Sequence, residues 1–201
     1  MSEWNFSPPA FSDLSDHAVK PRSQALSGKN IALFISGSIA AYRCPDLIRE
    51  LRKNGASVTV FASESALNFV SETSLHWTST HPIITSLSAD AEHLESDYPY
   101  DLFLIAPASY NSINKMAQGI ADNALSTAMA CALGCLEFRK TPILIAPCMN
   151  GIMHNQILVD SMKRLADLGV KFIQPRQEDG KNKLPEVNTL VNECIEVFKS
   201  E

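Results

Sequence analysis

The sequence predicts an α/β protein: a Rossmann-like three-layer sandwich with a central parallel sheet. Three observations carry that expectation. Short apolar runs recur along the chain, and most are apolar on both faces, as strands buried in a parallel sheet are. Stretches with helical spacing separate them. Right-handed crossovers between such strands make a doubly wound sheet covered by helices on each side.

The elements follow in order. KNIALFIS is a buried strand closed by Gly37. Ala41 to Lys53 carries Leu47, Ile48 and Leu51 at helical spacing and stops at Asn54-Gly55. Ser57 to Ser63 is a β-branched second strand. Ser63 can cap the next helix, with Glu64 and Ser65 in its first turn. Asp101 to Ser109 is a third strand. A helical stretch runs from Ser112 through Leu133, interrupted near Gly119 to Asn123. TPILIAPCMN is a fourth strand, entered through Pro142. Gln156 to Leu168 is an amphipathic helix ended by Gly169, VKFIQP a fifth strand, and Val187 to Lys199 a final helix. Residues 1–28 hold Pro8, Pro9 and Pro21 among polar residues without periodicity. They are read as a flexible arm, or as one that docks on a neighbouring surface through Trp4, Phe6 and Phe11. The domain proper is expected over residues 29–201.

Composition narrows the function classes. At 201 residues the chain can bury a core of its own, and 45% hydrophobic with 19% charged residues excludes wholesale disorder. A net charge of −5 argues against non-specific nucleic-acid binding, which needs a basic surface. No apolar run reaches the roughly 18 residues of a membrane span, so no membrane partner is expected. The first residues lack the basic-then-apolar order of a secretory signal. The five cysteines, Cys44, Cys131, Cys135, Cys148 and Cys194, form no CxxC pair. Reduced thiols and a cytoplasmic location are therefore expected, and no metal, because His and Cys lack ligand spacing.

Ligands of doubly wound sheets bind at the carboxyl edge of the strands, so the loops there carry the functional reading. GSIAAY (Gly37 to Tyr42) joins a glycine turn to a helix start. Its amides, with the Ser38 hydroxyl, can hold a phosphate; equally it is a tight, closely packed turn. It is neither a dinucleotide fingerprint nor a P-loop, so a mononucleotide phosphate fits better. PASYNS places Ser109, Asn111 and Ser112 at a helix start, where such residues are first of all caps. Asn150 is a loop amide that can cap or bind a ligand, flanked by Met149 and Met153, which on their own read as core. His93 stands in the acidic stretch DAEHLESD. There Glu92 and Glu95 would favour its charged form if close in space.

In this order the segments resemble the flavin-dependent cysteine decarboxylase family. GSIAAYRCPDLIRELRKNGASVTV is similar to the opening of its coenzyme A enzymes. APASYNSINKMAQGIADNALS resembles the PASANT block and the GIADNL segment behind it. APCMNGIM resembles the P-x-M-N-x-x-M block, and DGKNKLPEVNTLV the substrate clamp, usually G-x-G-R-M-x-E-P. His93 precedes the PAS segment at the spacing of the family's active-site histidine. The resemblance runs from Lys29 to the C-terminus and implies a flavodoxin-like fold with FMN as cofactor. It implies that Gly37, Ser38, Ile39 and Ala40 hold the FMN phosphate, with Ser63 nearby. Ser109, Asn111 and Ser112 would lie along the flavin or its ribityl chain, supported by Ala121 to Asn123. His93 would stand at the reactive edge, positioning or deprotonating the thiol. Asn150 would bind the substrate carboxylate, Met149 and Met153 would shape its pocket, and Lys183 would replace the clamp arginine.

The implied chemistry is oxidation of a cysteinyl thiol to a thioaldehyde, which then accepts the electrons released with carbon dioxide. The implied substrate is 4'-phosphopantothenoylcysteine, converted to phosphopantetheine in coenzyme A biosynthesis. The implied assembly is a homotrimer or dodecamer with the active site at the trimer contact. One departure is informative. The coenzyme A enzymes carry a clamp cysteine used to reduce the enethiol, and Arg176 falls near its place. A peptidyl C-terminal cysteine substrate, left as an enethiol, is therefore the alternative. A non-catalytic regulatory flavoprotein is a further one, supported by the N-terminal arm alone.

Overall fold

In a computed structural model of the chain, residues 5–94 and 100–199 are described. Trp4 and Glu95 lie outside them. Among the described residues the strands are β1 (Asn30–Ile35), β2 (Ser57–Ala62), β3 (Ile83–Ile84), β4 (Leu102–Ala108), β5 (Ile143–Pro147), β6 (Met149–Asn150), β7 (Lys171–Phe172), β8 (Arg176–Glu178) and β9 (Lys181–Lys183). The α-helices are α1 (Cys44–Lys53), α2 (Glu72–Ser79), α3 (Tyr110–Gln118), α4 (Ala124–Arg139), α5 (Gln156–Asp167) and α6 (Val187–Lys199). The main sheet is parallel with order β3-β2-β1-β4-β5-β7. The order reverses between β1 and β4, and that switch point is where a ligand crevice forms.

Strand alternation sorts the core into two layers. Ile31, Leu33 and Ile35 of β1 join Leu47, Ile48 and Leu51 of α1, with α6 contributing Leu190 and Cys194. Ala32 and Phe34 face the other way, onto Phe103, Met129 of α4 and Leu158 of α5. Phe34 meets the Phe61 ring edge-on at 5.1 Å. Both faces of the sheet are therefore buried, which is why its strands read as continuous apolar runs.

Several boundaries differ from the sequence reading. The third strand expected from the pattern is fourth in the chain, because β3 has only two residues and leaves no periodicity. A 3-10 turn, Ile39–Arg43, precedes α1, which starts at Cys44 with Pro45 in its first turn. The interrupted helical stretch becomes α3 and α4, starting at Tyr110 and reaching Arg139. Met149 and Asn150 do not extend β5. They pair with β9 in a second, antiparallel sheet of order β6-β9-β8. The fifth expected strand shrinks to Lys171–Phe172, with Ile173 N–H still donating to the Ile145 carbonyl at 2.8 Å.

Part of the N-terminal stretch touches the domain. Leu26 is buried in the core beside α1, and its N–H donates to the Asn54 carbonyl at 2.8 Å. The His17 ring packs on Trp77 of α2 at 4.2 Å, and Arg52 donates to the His17 carbonyl.

Candidate active site

The loop after β1 is locked to the loop after β4 by one buried hydroxyl. Ser36 Oγ donates to the Pro107 carbonyl at 2.6 Å and accepts from the Ser109 N–H at 2.7 Å. Next along the chain, Gly37 passes so close to Ser65 that a Cβ built on it would overlap the Ser65 hydroxyl and lie 2.8 Å from its Cβ. Only glycine fits there without displacement.

Three N-caps face the same small cavity of about 110 Å³. Ser63 caps the 3-10 turn Glu64–Asn68, Ser109 caps α3, and Asn123 caps α4 in a reciprocal box with Ser126. Gly37, Asn111 and Ser112 complete its wall. Hydroxyls, amides and helix starts with unfilled N–H groups converge there, a setting that favours a bound anion. Lys115 supplies a cation, matched by Asp122 at 2.6 Å. Hydrogen bonds from Lys115 and Ser126 hold the Asp122 carboxyl below its usual range.

A second cavity of about 500 Å³ opens on the other side of the Gly37–Ser38 peptide. Ser38, Ile39 and Ala40 form one wall, and Met149, Asn150 and Lys183 the opposite one. Asn150 is set by the turn that follows it, its Oδ1 accepting from Ile152 N–H at 3.1 Å. Among the described residues its Nδ2 has no hydrogen-bond partner. The β8–β9 hairpin folds over this turn, with Asn150 opposite Lys181 in register. Gly151 makes the contact possible, since a Cβ there would overlap the Gly180 carbonyl oxygen. Lys183 is held by Glu178 at 2.8 Å and Asp179 at 3.5 Å. Met149 is buried beside the cavity, whereas Met153 is 43% exposed and outside its wall.

His93 is elsewhere. It lines a third cavity, about 270 Å³, against Cys131, Cys135 and Phe138 of α4. This cavity shares no lining residue with the other two. His93 Nδ1 is buried, with no hydrogen-bond partner among the described residues. Glu92 does not serve it by a hydrogen bond: its carboxylate takes the Ser88 hydroxyl at 2.6 Å and N–H at 3.0 Å, which holds it below the usual carboxylate range. One chain thus brings Gly37, Ser63, Ser109, Asn111 and Ser112 together, and separately Ser38, Ile39, Ala40, Met149, Asn150 and Lys183, but not His93.

The thiols divide by burial. Burial pushes Cys44 far above the ordinary thiol range and Cys194 up to about 12, so both are inert. Cys148 lines the large cavity and accepts from Ser38 Oγ at 3.6 Å. Arg43, Arg176 and Lys181 also line it. The sequence reading missed Arg43 and Lys181 as site residues, although Arg43 sits in the same strand-to-helix turn as Ser38.

Fold and cavities together define a class: a doubly wound α/β protein with two cavities lined from the strand-end loops at the switch point of its sheet. The chain belongs to the Flavoprotein family, whose profile matches residues 19–199. It is 37% identical over 179 residues to the coenzyme A biosynthesis bifunctional protein CoaBC of Thermococcus kodakarensis, covering 87% of this chain and 43% of that protein. It is 33% identical over 180 residues to a probable phosphopantothenoylcysteine decarboxylase of Streptococcus mutans, covering 84% of this chain and 98% of that protein. The chain therefore spans less than half of the bifunctional relative but nearly all of the single-function one. Among solved structures it resembles a PPC decarboxylase mutant complexed with pantothenoylaminoethenethiol, at TM-score 0.71 and 23% identity over 86% of this chain and 99% of that one. It also resembles the peptidyl-cysteine decarboxylase EpiD, at TM-score 0.69 and 25% identity over 82% of this chain and 96% of that one. Among the described residues no helix is long and apolar enough to cross a membrane.

Proposed function

We propose that the chain is an FMN-dependent decarboxylase acting on the carboxylate of 4'-phosphopantothenoylcysteine. The observation that carries this reading is the pair of neighbouring cavities, lined by the adjacent residues Gly37 and Ser38, with Asn150 in the wall of the larger one. The residues fit the cofactor. Gly37 leaves the backbone bare beside Ser65, and the hydroxyl-lined cavity suits the FMN phosphate. We therefore assign the phosphate to Gly37, Ser63, Ser109, Asn111 and Ser112, and move Ser38, Ile39 and Ala40 from the phosphate, where the resemblance put them, to the start of the second cavity. When bound, FMN supplies a two-electron acceptor for the substrate thiol, the step that makes loss of carbon dioxide possible.

The chain's own residues bind and orient. The open Nδ2 of Asn150 donates to the substrate carboxylate without placing a full charge on it. A charge would stabilise the carboxylate more than the transition state that releases it. Lys183, fixed by two carboxylates, supports the hairpin that closes over the substrate. The apolar side chains of Ile39, Met149 and Leu184 exclude water from the wall. His93 acts on the thiol from a neighbouring copy in a homotrimer, which accounts for its separation from the other residues within one chain. The family relationship and the full-length match to the Streptococcus mutans relative support this reading. One observation favours the peptidyl alternative: no cysteine lies between Cys148 and Cys194, where the coenzyme A enzymes carry the clamp cysteine.

The product's mass decides between the substrate readings and the extent of reaction. Incubation with phosphopantothenoylcysteine is expected to yield phosphopantetheine or its enethiol, two hydrogens lighter. Turnover of a peptide ending in cysteine, with none of phosphopantothenoylcysteine, would select the alternative.

A further inference from the structure

Every charged side chain that lines the large cavity is cationic. Arg43, Arg176, Lys181 and Lys183 line it, and no acidic side chain does. The carboxylates that balance them stand behind the wall and are shared. Glu186 takes Arg43 and Arg176, each at 2.6 Å. Glu178 takes Lys183 at 2.8 Å and Arg176 at 3.3 Å. Lys181 has no ion pair within 4.0 Å among the described residues.

The hairpin register orders these charges along the cavity. Lys181 stands opposite Asn150, whereas Arg176 stands opposite Lys183, further down the hairpin. Glu186 then ties Arg176 to Arg43, which comes from the turn before α1. The two guanidiniums thus sit together at the end of the hairpin away from Asn150. Arg43 is held in place, donating to the carbonyls of Leu184 at 3.5 Å and Pro185 at 3.4 Å, with its side chain 19% exposed. Two planar donor forks sharing one carboxylate keep N–H groups in reserve. A tetrahedral dianion with several acceptor oxygens uses such an arrangement better than a carboxylate does.

We propose that Arg43 and Arg176 form a subsite for a phosphomonoester at the end of the substrate remote from the reacting carboxylate. This rests on the decarboxylase reading and deepens it. The subsite selects a phosphorylated small molecule over an unphosphorylated peptide. The cofactor's phosphate is the other phosphomonoester present. We assign it to the hydroxyl-lined cavity, where the N-caps Ser63, Ser109 and Asn123 converge and no arginine enters the lining.

Calorimetry on the flavin-loaded protein, with 4'-phosphopantothenate and pantothenate as probes, tests the subsite without turnover. The parent is expected to bind the phosphorylated probe at least about tenfold tighter, the scale of one charge-assisted contact. Arg43→Gln and Arg176→Gln are each expected to bring the ratio close to one. Arg43→Lys should keep part of it, because charge remains while the fork is lost. FMN affinity, measured on the same variants, is expected to stay at the parent level and reports that the fold and cofactor site are intact. Equal binding of the two probes by the parent overturns the proposal, as does a preference that survives both glutamine variants. Loss of FMN affinity in Arg43→Gln, with the probe ratio kept, also overturns it and assigns the arginines to the cofactor. Failure of the parent reading is separate: a protein that takes up no FMN.

Discussion

Ser36 joins β1 to β4 through two hydrogen bonds from a side chain that is 1% exposed. Removing its oxygen takes the acceptor from the Ser109 N–H and leaves the Pro107 carbonyl with the longer bond from the Ser36 N–H, at 3.3 Å. Ser36→Ala is therefore expected to cost about 1–3 kcal/mol in denaturant unfolding and to weaken FMN binding. Gly37→Ala places a methyl on Ser65 and is expected to weaken FMN binding at least about tenfold in a fluorescence titration, with the midpoint of unfolding changed less. His93→Asn is expected to keep the flavin spectrum and lose turnover; full activity in this variant would remove His93 from the mechanism. Gly37, Ser109 and Asn150 were legible in the sequence because strand-end loops point to them. Ser36 was not, because its role depends on the register between two strands far apart in the chain.

The β8–β9 hairpin is the element that turns a loop into a cavity wall. RQE and KNK carry no apolar alternation, so nothing in their pattern marks them as strands. Their pairing comes from the tight approach at Gly151 and Gly180 and from ion pairs. Gly151→Ala is expected to lift the hairpin and raise the substrate KM while leaving FMN affinity at the parent level. Charge holds the hairpin over a defined pH range. The hydrogen bond from Arg43 keeps the Glu186 carboxyl below its usual range, and the one from Lys183 does the same for Glu178. Lowered folded-state values mean that these contributions are present above the ordinary carboxylate range and lost as pH falls through the lowered ones. Hairpin closure, read by hydrogen exchange at β9, should thus hold on mild acidification and be lost only below the ordinary carboxylate range. Because the pairs are exposed, added salt should weaken it at every pH. The long strands and amphipathic helices, by contrast, could be read from the sequence, since their burial imposes a period on it.

At the scale of the whole molecule, the sheet order places the Gly37–Ser38 loop beside the Ser109–Ser112 segment, and the two core layers fix them there. What one chain does not do is bring His93 to Asn150. Its cavity lies against the C-terminal half of α4, beside Phe138, which is 80% exposed, whereas the first turns of the same helix line the serine-lined cavity. The sequence places His93 relative to the PAS segment along the chain, but its distance from Asn150 in space depends on how α4 and the β8–β9 hairpin pack. If His93 works on a neighbour's substrate, the protein should sediment as a trimer or a multiple of it, from a chain of 22.0 kDa. Mixed trimers of His93→Asn and Asn150→Ala chains should then regain activity that neither variant has alone. Decarboxylation is tested by carbon dioxide release from carboxyl-labelled phosphopantothenoylcysteine on the FMN-loaded protein. One carbon dioxide per substrate consumed is expected, with loss of that release in Asn150→Ala. An FMN-loaded protein that binds this substrate and releases no carbon dioxide would contradict the decarboxylase reading.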